Sequence, residues 1–333
     1  MNKKNITIIA TGGTIAGRGS LGKSANYEAG TFDVEEIVKS IPQIRDLANL
    51  NTIQLYNVDS NEVIDDQRKS LDKWIELRKI CHELEKDHYV DGIVITHGTD
   101  TLEETAFFLN LTLACHKPVV LTGSMRPATA TSADGPMNLY QAVALACHME
   151  AWQAGVLAVI SDTIYSGRDL QKTNSYKTDA FKMGEFGSLG YMRDDHVYLL
   201  NAPFKKHTFQ TIFSKMEFDN LPKVEIFYVH TDSDPELLKF MLGTYDGLVL
   251  AGTGSGNYPT KIKDVLENYT GECTVVRASR VLEGAVFDSD VFDSKKVTIP
   301  AYKFSAQKAR ILLMLALNCT KNHETIKSFF QEY

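Results

Sequence analysis

The sequence is poor in cysteine and has no cysteine or histidine spacing typical of a disulfide scaffold or a metal site. Its five cysteines are dispersed over 333 residues, and none belongs to a CxxC pair. The nine histidines include no HxxxH pair, so we predict that the protein uses no metal. An odd, dispersed set of cysteines indicates free thiols in a reducing compartment, and one disulfide, for instance Cys81 with Cys115, stays compatible with the sequence.

Long apolar runs and basic segments are absent as well. The longest apolar run, residues 311–317, is far shorter than the roughly 18 residues of a membrane helix. The net charge is −7 and the pI about 5.7, which argues against nucleic acid as the main partner. The first residues, "MNKK", do not open a secretory signal. We therefore expect no membrane or nucleic-acid partner and a cytoplasmic location, or a periplasmic or secreted one if a leader was removed.

Short β-rich apolar segments alternate with helical patterns along the whole chain. The predicted strands are residues 6–10, 92–96, 119–122, 156–161, 224–230, 248–251 and 274–277. The predicted helices are residues 33–40, 67–86, 102–115, 138–149, 236–241 and 305–319. This alternation predicts an α/β fold with largely parallel sheets that helices cover on both faces.

The length favours two domains, and the weakly periodic stretch at residues 192–220 separates them. We predict an N-terminal α/β domain over residues 1–200, a connector over residues 201–221 and a C-terminal α/β domain over residues 222–333. Two residue pairs have the spacing of a capping box, Asp33 with Glu36 and Asp100 with Glu103. We expect each pair to open a helix.

One glycine-rich segment, "TIIATGGTIAGRGSLGKSANY" at residues 7–27, permits two interpretations. Gly17 to Ser24 matches GxxxxGK[ST], the phosphate loop of nucleotide hydrolases. A phosphate loop needs a strand just before its first glycine and a helix that starts at its Lys-Ser. Here the predicted strand ends at Ala10, and Gly30 interrupts the sequence that follows. We therefore interpret residues 18–29 as a lid that closes over a ligand.

Polar residues with useful chemistry follow several predicted strands, where parallel α/β sheets bind ligands. Thr14 lies among glycines after the first strand, and Thr99 and Asp100 follow the strand at residues 92–96. Lys172 lies in "GRDLQKTN", and Tyr27 ends the lid. Each also has a structural interpretation, as a turn residue, helix cap, solvated lysine or anchoring aromatic. Together they predict hydrolysis by a hydroxyl nucleophile without histidine, but their spacing does not name a substrate.

Two segments carry a resemblance to a known family. "ATGGTIAG" (residues 10–17) followed by "ITHGTDTLEETAFFL" (residues 95–109) strongly resembles the hallmark pair of the bacterial-type L-asparaginases. Three further segments are similar to that family: "GSMRPATATSADGPMNLYQAV" (123–143), "GRDLQKTN" (167–174) and "QKARILLMLAL" (307–317). The resemblance extends over nearly the whole chain.

The resemblance implies an amidohydrolase that converts L-asparagine to L-aspartate and ammonia, with minor glutaminase activity and neither metal nor organic cofactor. It also implies a homotetramer built as a dimer of intimate dimers. Each active site would lie between the N-terminal domain of one subunit and the C-terminal domain of its neighbour. The alternatives are a broad-specificity glutaminase-asparaginase and a non-catalytic amino-acid-binding protein.

Matched to the family's motifs, Thr14 is the expected nucleophile and Tyr27 its partner in the lid. Thr99, Asp100 and Lys172 form a second catalytic set. Thr14 would attack the side-chain amide carbon to give an acyl-enzyme, and Thr99 with Lys172 would serve the second half-reaction. Two alternative mechanisms stay open. In one, water attacks the substrate directly, and in the other Thr99 is the nucleophile.

The substrate-binding residues come from the same resemblance. Ser60 of "NVDSNEV" would hold the α-carboxylate, the Ser124 backbone would face the side-chain amide, and Asn257 of "GTGSGN" would come from the neighbouring subunit. Asp100 would also hold the α-ammonium.

Two positions depart from the family pattern. Asn61 stands where the family more often has Gln, and Asp290 stands in place of the intersubunit glutamate, with Asp288 and Glu283 as alternative matches.

Overall fold

The computed structural model describes residues 3–24, 27–60, 69–218, 220–289 and 291–333. The chain divides into two compact units, residues 1–216 and 217–333. The predicted connector at residues 201–221 spans that boundary. Of the predicted site residues, Asn61 and Asp290 lie outside the described residues.

The first unit is built on an eight-stranded mixed sheet. The strands of this unit are β1 (Lys4–Gly12), β2 (Arg18–Gly19), β3 (Tyr27–Glu28), β4 (Ala48–Val58), β5 (Gly92–Thr96), β6 (Val119–Thr122), β7 (Val156–Ile160), β8 (Thr163–Ser166), β9 (Gln171–Lys172), β10 (Phe181–Lys182), β11 (Gly190–Arg193) and β12 (His196–Leu199). Its helices are α1 (Val34–Lys39), α2 (Ile44–Leu47), α3 (Lys69–Lys86), α4 (Leu102–Thr112) and α5 (Gly135–Ala146). The large sheet has the order β12-β11-β8-β7-β6-β5-β1-β4.

The parallel part of this sheet forms the core of the unit. Strands β4, β1, β5, β6 and β7 pair in parallel, and β8, β11 and β12 extend the sheet with antiparallel pairings. Every residue of β5, β6 and β7 is buried. Because successive side chains of a strand point to opposite faces, this burial means that both faces are covered. The α/β fold predicted from the sequence is confirmed.

The second unit has a smaller sheet of four parallel strands. They are, in order, β13 (Val224–Tyr228), β14 (Gly247–Gly252), β15 (Thr274–Ser279) and β16 (Ile299–Pro300). The helices are α6 (Pro235–Thr244), α7 (Thr260–Glu267), α8 (Ala306–Cys319) and α9 (His323–Glu332). Asp234, Ser305 and Asn322 cap α6, α8 and α9 through their side-chain oxygens. No helix that the structure describes is long and apolar enough to cross a membrane.

Three details correct the sequence prediction. Strand β4 was not predicted, because "ANLNTIQLYNV" lies at the sheet edge with many of its polar residues exposed. Helices α2, α7 and α9 and the antiparallel strands β8, β11 and β12 were also not predicted. Asp33 and Glu36 form the predicted capping box at α1, whereas Asp100 and Glu103 do not form one. Helix α4 has Thr101 at its N-cap and no side-chain cap.

Candidate active site

The loops that follow β1, β4 and β5 meet backbone to backbone at one edge of the sheet. A Cβ atom added to Gly13 would lie 2.4 Å from Gly98 Cα, and one added to Gly98 would lie 2.5 Å from Ser60 Cβ. Gly13 also has a positive φ of 81°, which glycine adopts without strain. These glycines therefore bring Thr14, Ser60 and Thr99 into one neighbourhood.

A pocket of about 170 Å³ lies where these loops meet. It is lined by Gly13, Thr14, Tyr27, Asp59, Ser60, Thr99, Asp100, Met125, Lys172 and Ser175. Six of these residues, including both threonines, had been predicted from the sequence. The lining combines hydroxyl groups, carboxylates and one ammonium, which are groups suited to a small zwitterionic ligand.

Thr14 and Tyr27 form the first pair of reactive groups in the pocket. Thr14 opens a short 3₁₀ turn, is 8% exposed, and its Oγ1 lies 2.7 Å from Tyr27 Oη. The β2–β3 hairpin positions the tyrosine, because Gly19 pairs directly with Tyr27. A Cβ atom on Gly17 would lie 2.9 Å from the Tyr27 ring. The absence of a side chain at position 17 therefore leaves space for the Tyr27 ring beside Thr14.

The hairpin is bound to the loop that follows β6. The Gly19 N–H donates to Thr129 Oγ1 at 2.9 Å, and the Gly22 N–H donates to the Thr129 carbonyl at 2.9 Å. The Ala128 N–H donates in turn to the Gly17 carbonyl at 3.1 Å. These hydrogen bonds hold residues 17–22 against the loop after β6, and Tyr27, which pairs with Gly19, lines the pocket.

Lys172, Thr99 and Asp100 form the second group. Lys172 Nζ donates to Thr99 Oγ1 at 2.9 Å and to Asp100 Oδ1 at 2.5 Å. Its side chain is only 15% exposed, so the ion pair is partly shielded from water. The Lys172 backbone N–H donates to the carboxylate of Glu103 in the first turn of α4. Residues at the N-terminal end of α4 therefore bind both the backbone N–H and the side-chain ammonium of Lys172.

His97 supports the turn beside these residues. Its Nδ1 lies 2.8 Å from the Gly98 carbonyl, which can only accept, so Nδ1 carries the hydrogen. Its Nε2 then accepts from Thr105 Oγ1, which in turn accepts from Trp74 Nε1. Burial lowers the pKa of His97, in keeping with a neutral ring. A structural role, which the sequence alone favours, fits these contacts.

Ser124 and Asn257 stand apart from the pocket lining. Ser124 is fully buried next to Met125, which does line the pocket. Asp134 accepts the backbone N–H groups of Met125 and Arg126 and so fixes this loop. Asn257 belongs to the second unit, where its backbone bridges to Thr253 and its buried Oδ1 has no hydrogen-bond partner among the described residues.

Sequence reasoning missed four lining residues: Gly13, Asp59, Met125 and Ser175. Asp59 lies just beyond the end of β4, at the same sheet edge as the loops after β1 and β5. Recognising β4 as a strand would have drawn attention to this carboxylate. Glu103 was noted only as a cap, and its contact with the Lys172 backbone was not predicted.

Two family models match the chain. The model described as "Asparaginase, N-terminal" matches residues 5–205, and the "Glutaminase/Asparaginase C-terminal domain" matches residues 223–330.

Curated and solved relatives match along nearly the full length. An L-asparaginase 2 of Escherichia coli K12 is 42% identical, covering 99% of this chain and 93% of that protein. A glutaminase-asparaginase of Acinetobacter glutaminasificans is 40% identical, covering 99% of this chain and all of that protein. A crystal structure titled as a probable cytoplasmic L-asparaginase from Campylobacter jejuni has 43% identity and a TM-score of 0.92, covering 99% of this chain and all of that one.

Proposed function

We propose, from the premise that this chain belongs to the asparaginase family, that it hydrolyses L-asparagine to L-aspartate and ammonia through the hydroxyl of Thr14. The observation that carries this proposal is the 2.7 Å contact of Thr14 Oγ1 with Tyr27 Oη in a pocket that Lys172 also lines. An alkyl hydroxyl needs a neighbouring proton acceptor before it can attack an amide, and the phenol is placed to receive that proton.

In the first half-reaction, Thr14 Oγ1 bonds to the side-chain amide carbon while its proton passes to Tyr27 Oη. Tyr27 releases its own proton to the leaving nitrogen, the C–N bond breaks and ammonia departs. An ester between Thr14 and the aspartyl side chain remains. We propose that the carboxylate of Asp290 from the neighbouring subunit favours the acceptance of this proton by the Tyr27 phenol.

In the second half-reaction, a water molecule bound to Thr99 attacks the ester carbon. Lys172 Nζ donates to Thr99 Oγ1, which leaves the hydrogen of that hydroxyl free to direct the water. The water gives up one proton, which reaches Thr14 Oγ1 through Tyr27 Oη as the ester C–O bond to Thr14 breaks, and L-aspartate is released. Thr99 and Lys172 thus orient the nucleophile, which lowers the entropic part of the barrier.

The polar ends of the substrate have separate partners in this proposal. The Ser60 hydroxyl receives the α-carboxylate and Asp100 receives the α-ammonium, and both residues line the pocket. The Ser124 backbone faces the side-chain amide. Asn61 and Asn257 complete the substrate contacts, with Asn257 contributed by the neighbouring subunit of a homotetramer.

Minor glutaminase activity belongs to the same proposal. Relatives named glutaminase-asparaginase are similar to this chain over almost its full length. Glutamine has one more methylene than asparagine, and a single methylene is discriminated by only about 1–3 kcal/mol in an apolar environment. A modest preference for asparagine over glutamine is therefore expected.

Ammonia release from asparagine, from glutamine and from buffer alone tests the activity. Thr14→Ala should lose at least about 10³-fold in kcat, and Thr14→Ser, which keeps a hydroxyl, should retain part of it. In a Thr99→Val variant, mass spectrometry should detect an aspartyl ester on the peptide that contains Thr14. Turnover close to wild type in Thr14→Ala would contradict the proposal that Thr14 is the nucleophile. An ester found on Thr99 in the wild-type enzyme would show that Thr99 is the nucleophile instead.

We propose a cytoplasmic location for the sequence as given. All five cysteines are free thiols in the structure, which supports a reducing compartment. Cell fractionation together with the genomic sequence upstream of this chain tests the proposal. A secretory leader encoded there would instead make the protein periplasmic or secreted.

A further inference from the structure

The loop that joins β6 to α5 lies against the segments to which we assign the chemistry. A Cβ atom added to Gly123, the first residue after β6, would lie 3.3 Å from Thr99 Cγ2. One added to Gly135, where α5 begins, would lie 2.9 Å from Ile15 Cγ1, and Ile15 follows Thr14 directly in the chain. Both ends of this loop therefore contact the chain segments that carry the two threonine hydroxyls.

Asp134 holds this loop instead of capping the helix that it precedes. It is the N-cap residue of α5, yet among the described residues its carboxylate accepts no backbone N–H of the first turn. Its two oxygens accept instead the backbone N–H groups of Met125 and Arg126, each at 2.9 Å. An aspartate at an N-cap usually stabilises its helix by accepting from the second or third residue of the first turn. Such a departure from local preference is typical of functional sites.

Asn138, one turn further along α5, fixes the position of the Asp134 carboxylate. Asn138 is only 2% exposed. Its Nδ2 donates to Asp134 Oδ2 at 3.2 Å and to the Gly123 carbonyl at 2.9 Å. Its Oδ1 accepts the backbone N–H of Ser161, just after β7, at 3.0 Å. The asparagine therefore connects the carboxylate, the start of the loop and the end of the neighbouring strand.

We propose that Asp134, oriented by Asn138, is a positioning residue for catalysis, which holds the Ser124 backbone at the side-chain amide of the substrate. The inference rests on the proposed function, because that function assigns the amide to Ser124. The α-carboxylate and the α-ammonium are assigned to Ser60 and Asp100, which follow β4 and β5. A displaced loop therefore misplaces the reacting amide and leaves the contacts of the α-groups in place. A misplacement of about 1 Å at a reacting centre can lower the rate about 10²-fold.

The test separates kcat from KM in the release of ammonia from L-asparagine. Asp134→Ala removes both contacts with the loop and should lower kcat about 10–10²-fold, whereas KM should change less than about threefold. Asp134→Asn keeps the shape and one acceptor oxygen, so its kcat should fall less, about three- to tenfold. Asn322→Ala removes the side-chain cap of α9 and is the control for lost stability, with both constants unchanged. Thermal unfolding of each variant gives its folded fraction, so that kcat is expressed per folded molecule.

A kcat within about twofold of wild type in the folded Asp134 variants would overturn the positioning role. A rise in KM that accounts for the whole loss of kcat/KM would also overturn it, because it would show that Asp134 serves binding alone. Should Asp134→Ala not fold, Asp134→Asn decides by the same two criteria. Failure of the wild type to release ammonia from asparagine would instead reject the proposed function itself.

Discussion

At the scale of single residues, the two threonine hydroxyls of the pocket have different neighbours. Thr14 Oγ1 lies beside a phenol at 2.7 Å, and Thr99 Oγ1 accepts from an ammonium at 2.9 Å. A protonated lysine cannot take a proton from a threonine, whereas a phenol can accept one while releasing its own. This difference favours Thr14 as the attacking group and Thr99 as the group that directs water.

Removing the phenol oxygen of Tyr27 tests this assignment. We expect Tyr27→Phe to lower kcat about 10²–10³-fold, because the proton of Thr14 loses its acceptor. The KM for asparagine should change much less, since the ring still fits over Gly17. Steady-state ammonia release measures both constants, and Tyr176→Phe, an exposed tyrosine, is the control. A kcat for Tyr27→Phe within about threefold of wild type would contradict the assignment.

At the scale of elements, the lid depends on a neighbouring loop for its position. Strands β2 and β3 have two residues each, and within the described part of the chain they pair with one another alone. The contacts of this hairpin with the loop after β6 include two side-chain hydrogen bonds: the Gly19 N–H donates to Thr129 Oγ1 at 2.9 Å, and Thr131 Oγ1 donates to the Gly22 carbonyl at 3.3 Å. Because Gly19 also pairs with Tyr27, the Thr129 hydroxyl influences the position of the phenol that we propose to be catalytic.

We expect Thr129→Val to loosen the lid without unfolding the protein. The lost hydrogen bond contributes about 0.5–1.5 kcal/mol, so the open lid should become several-fold more populated. Trypsin cleavage after Arg18 or Lys23 should accelerate correspondingly, whereas kcat/KM should fall by a smaller factor as long as the closed lid stays the major state. Thr129→Ser, which keeps the hydroxyl, should restore both values. Unchanged cleavage in Thr129→Val would show that other contacts hold the lid.

The end of helix α3 provides a second prediction at this scale, concerning pH. Burial alone would raise the pKa of Glu85, but hydrogen bonds from the Cys115 thiol and from the backbone N–H groups of His116 and Lys117 lower it below its usual value. A lowered pKa in the folded state means that the ionised carboxylate stabilises the fold above the unfolded pKa of about 4.3. That stabilisation is lost as the pH falls through the folded pKa.

Glu85→Gln should therefore destabilise the protein by about 1–2 kcal/mol at pH 7. The difference from wild type should shrink as the pH falls through the folded pKa of Glu85, below which both side chains are neutral. Urea unfolding at several pH values measures it, and Glu150→Gln at an exposed position is the control. A difference that is constant over this pH range would show that the charge of Glu85 is not responsible.

At the scale of the whole molecule, the proposed site draws on both units of the chain. Thr14, Tyr27 and Lys172 belong to residues 1–216, and Asn257 belongs to residues 217–333. The proposal assigns the Asn257 of each subunit to the site of its neighbour. The proposal therefore makes activity dependent on the association of subunits.

Mixing two inactive variants tests this arrangement. Thr14→Ala and Asn257→Ala subunits should each have low activity, and co-refolding equal amounts should restore about a quarter of the wild-type activity if dimers form at random. The recovery arises because half of the dimers then contain one site with both residues intact. No recovery in assembled, mixed oligomers would place both residues of a site in the same subunit. Full activity in a wild-type monomer would also contradict the proposal.

Local patterns in the sequence determined much of the fold. Strands β1, β5, β6 and β7 were recognisable because a strand buried on both faces needs an unbroken apolar run. The glycine-flanked threonines Thr14 and Thr99 drew attention to the loops after β1 and β5. The edge strand β4 was missed because its mixture of polar and apolar residues resembles a loop.

What only the tertiary structure decided is which distant groups meet. The local spacing predicted that Asp100 caps α4 with Glu103, and only the family resemblance grouped it with Lys172; in the structure Asp100 contacts Lys172, 72 residues away along the chain. Glu103 instead receives the Lys172 backbone, 69 residues away. Local spacing identifies which groups compete for a carboxylate within one turn of a helix. The Lys172 ammonium, which lies on another strand, binds the Asp100 carboxylate more strongly than a backbone N–H does. It reaches Asp100 only when the tertiary structure forms.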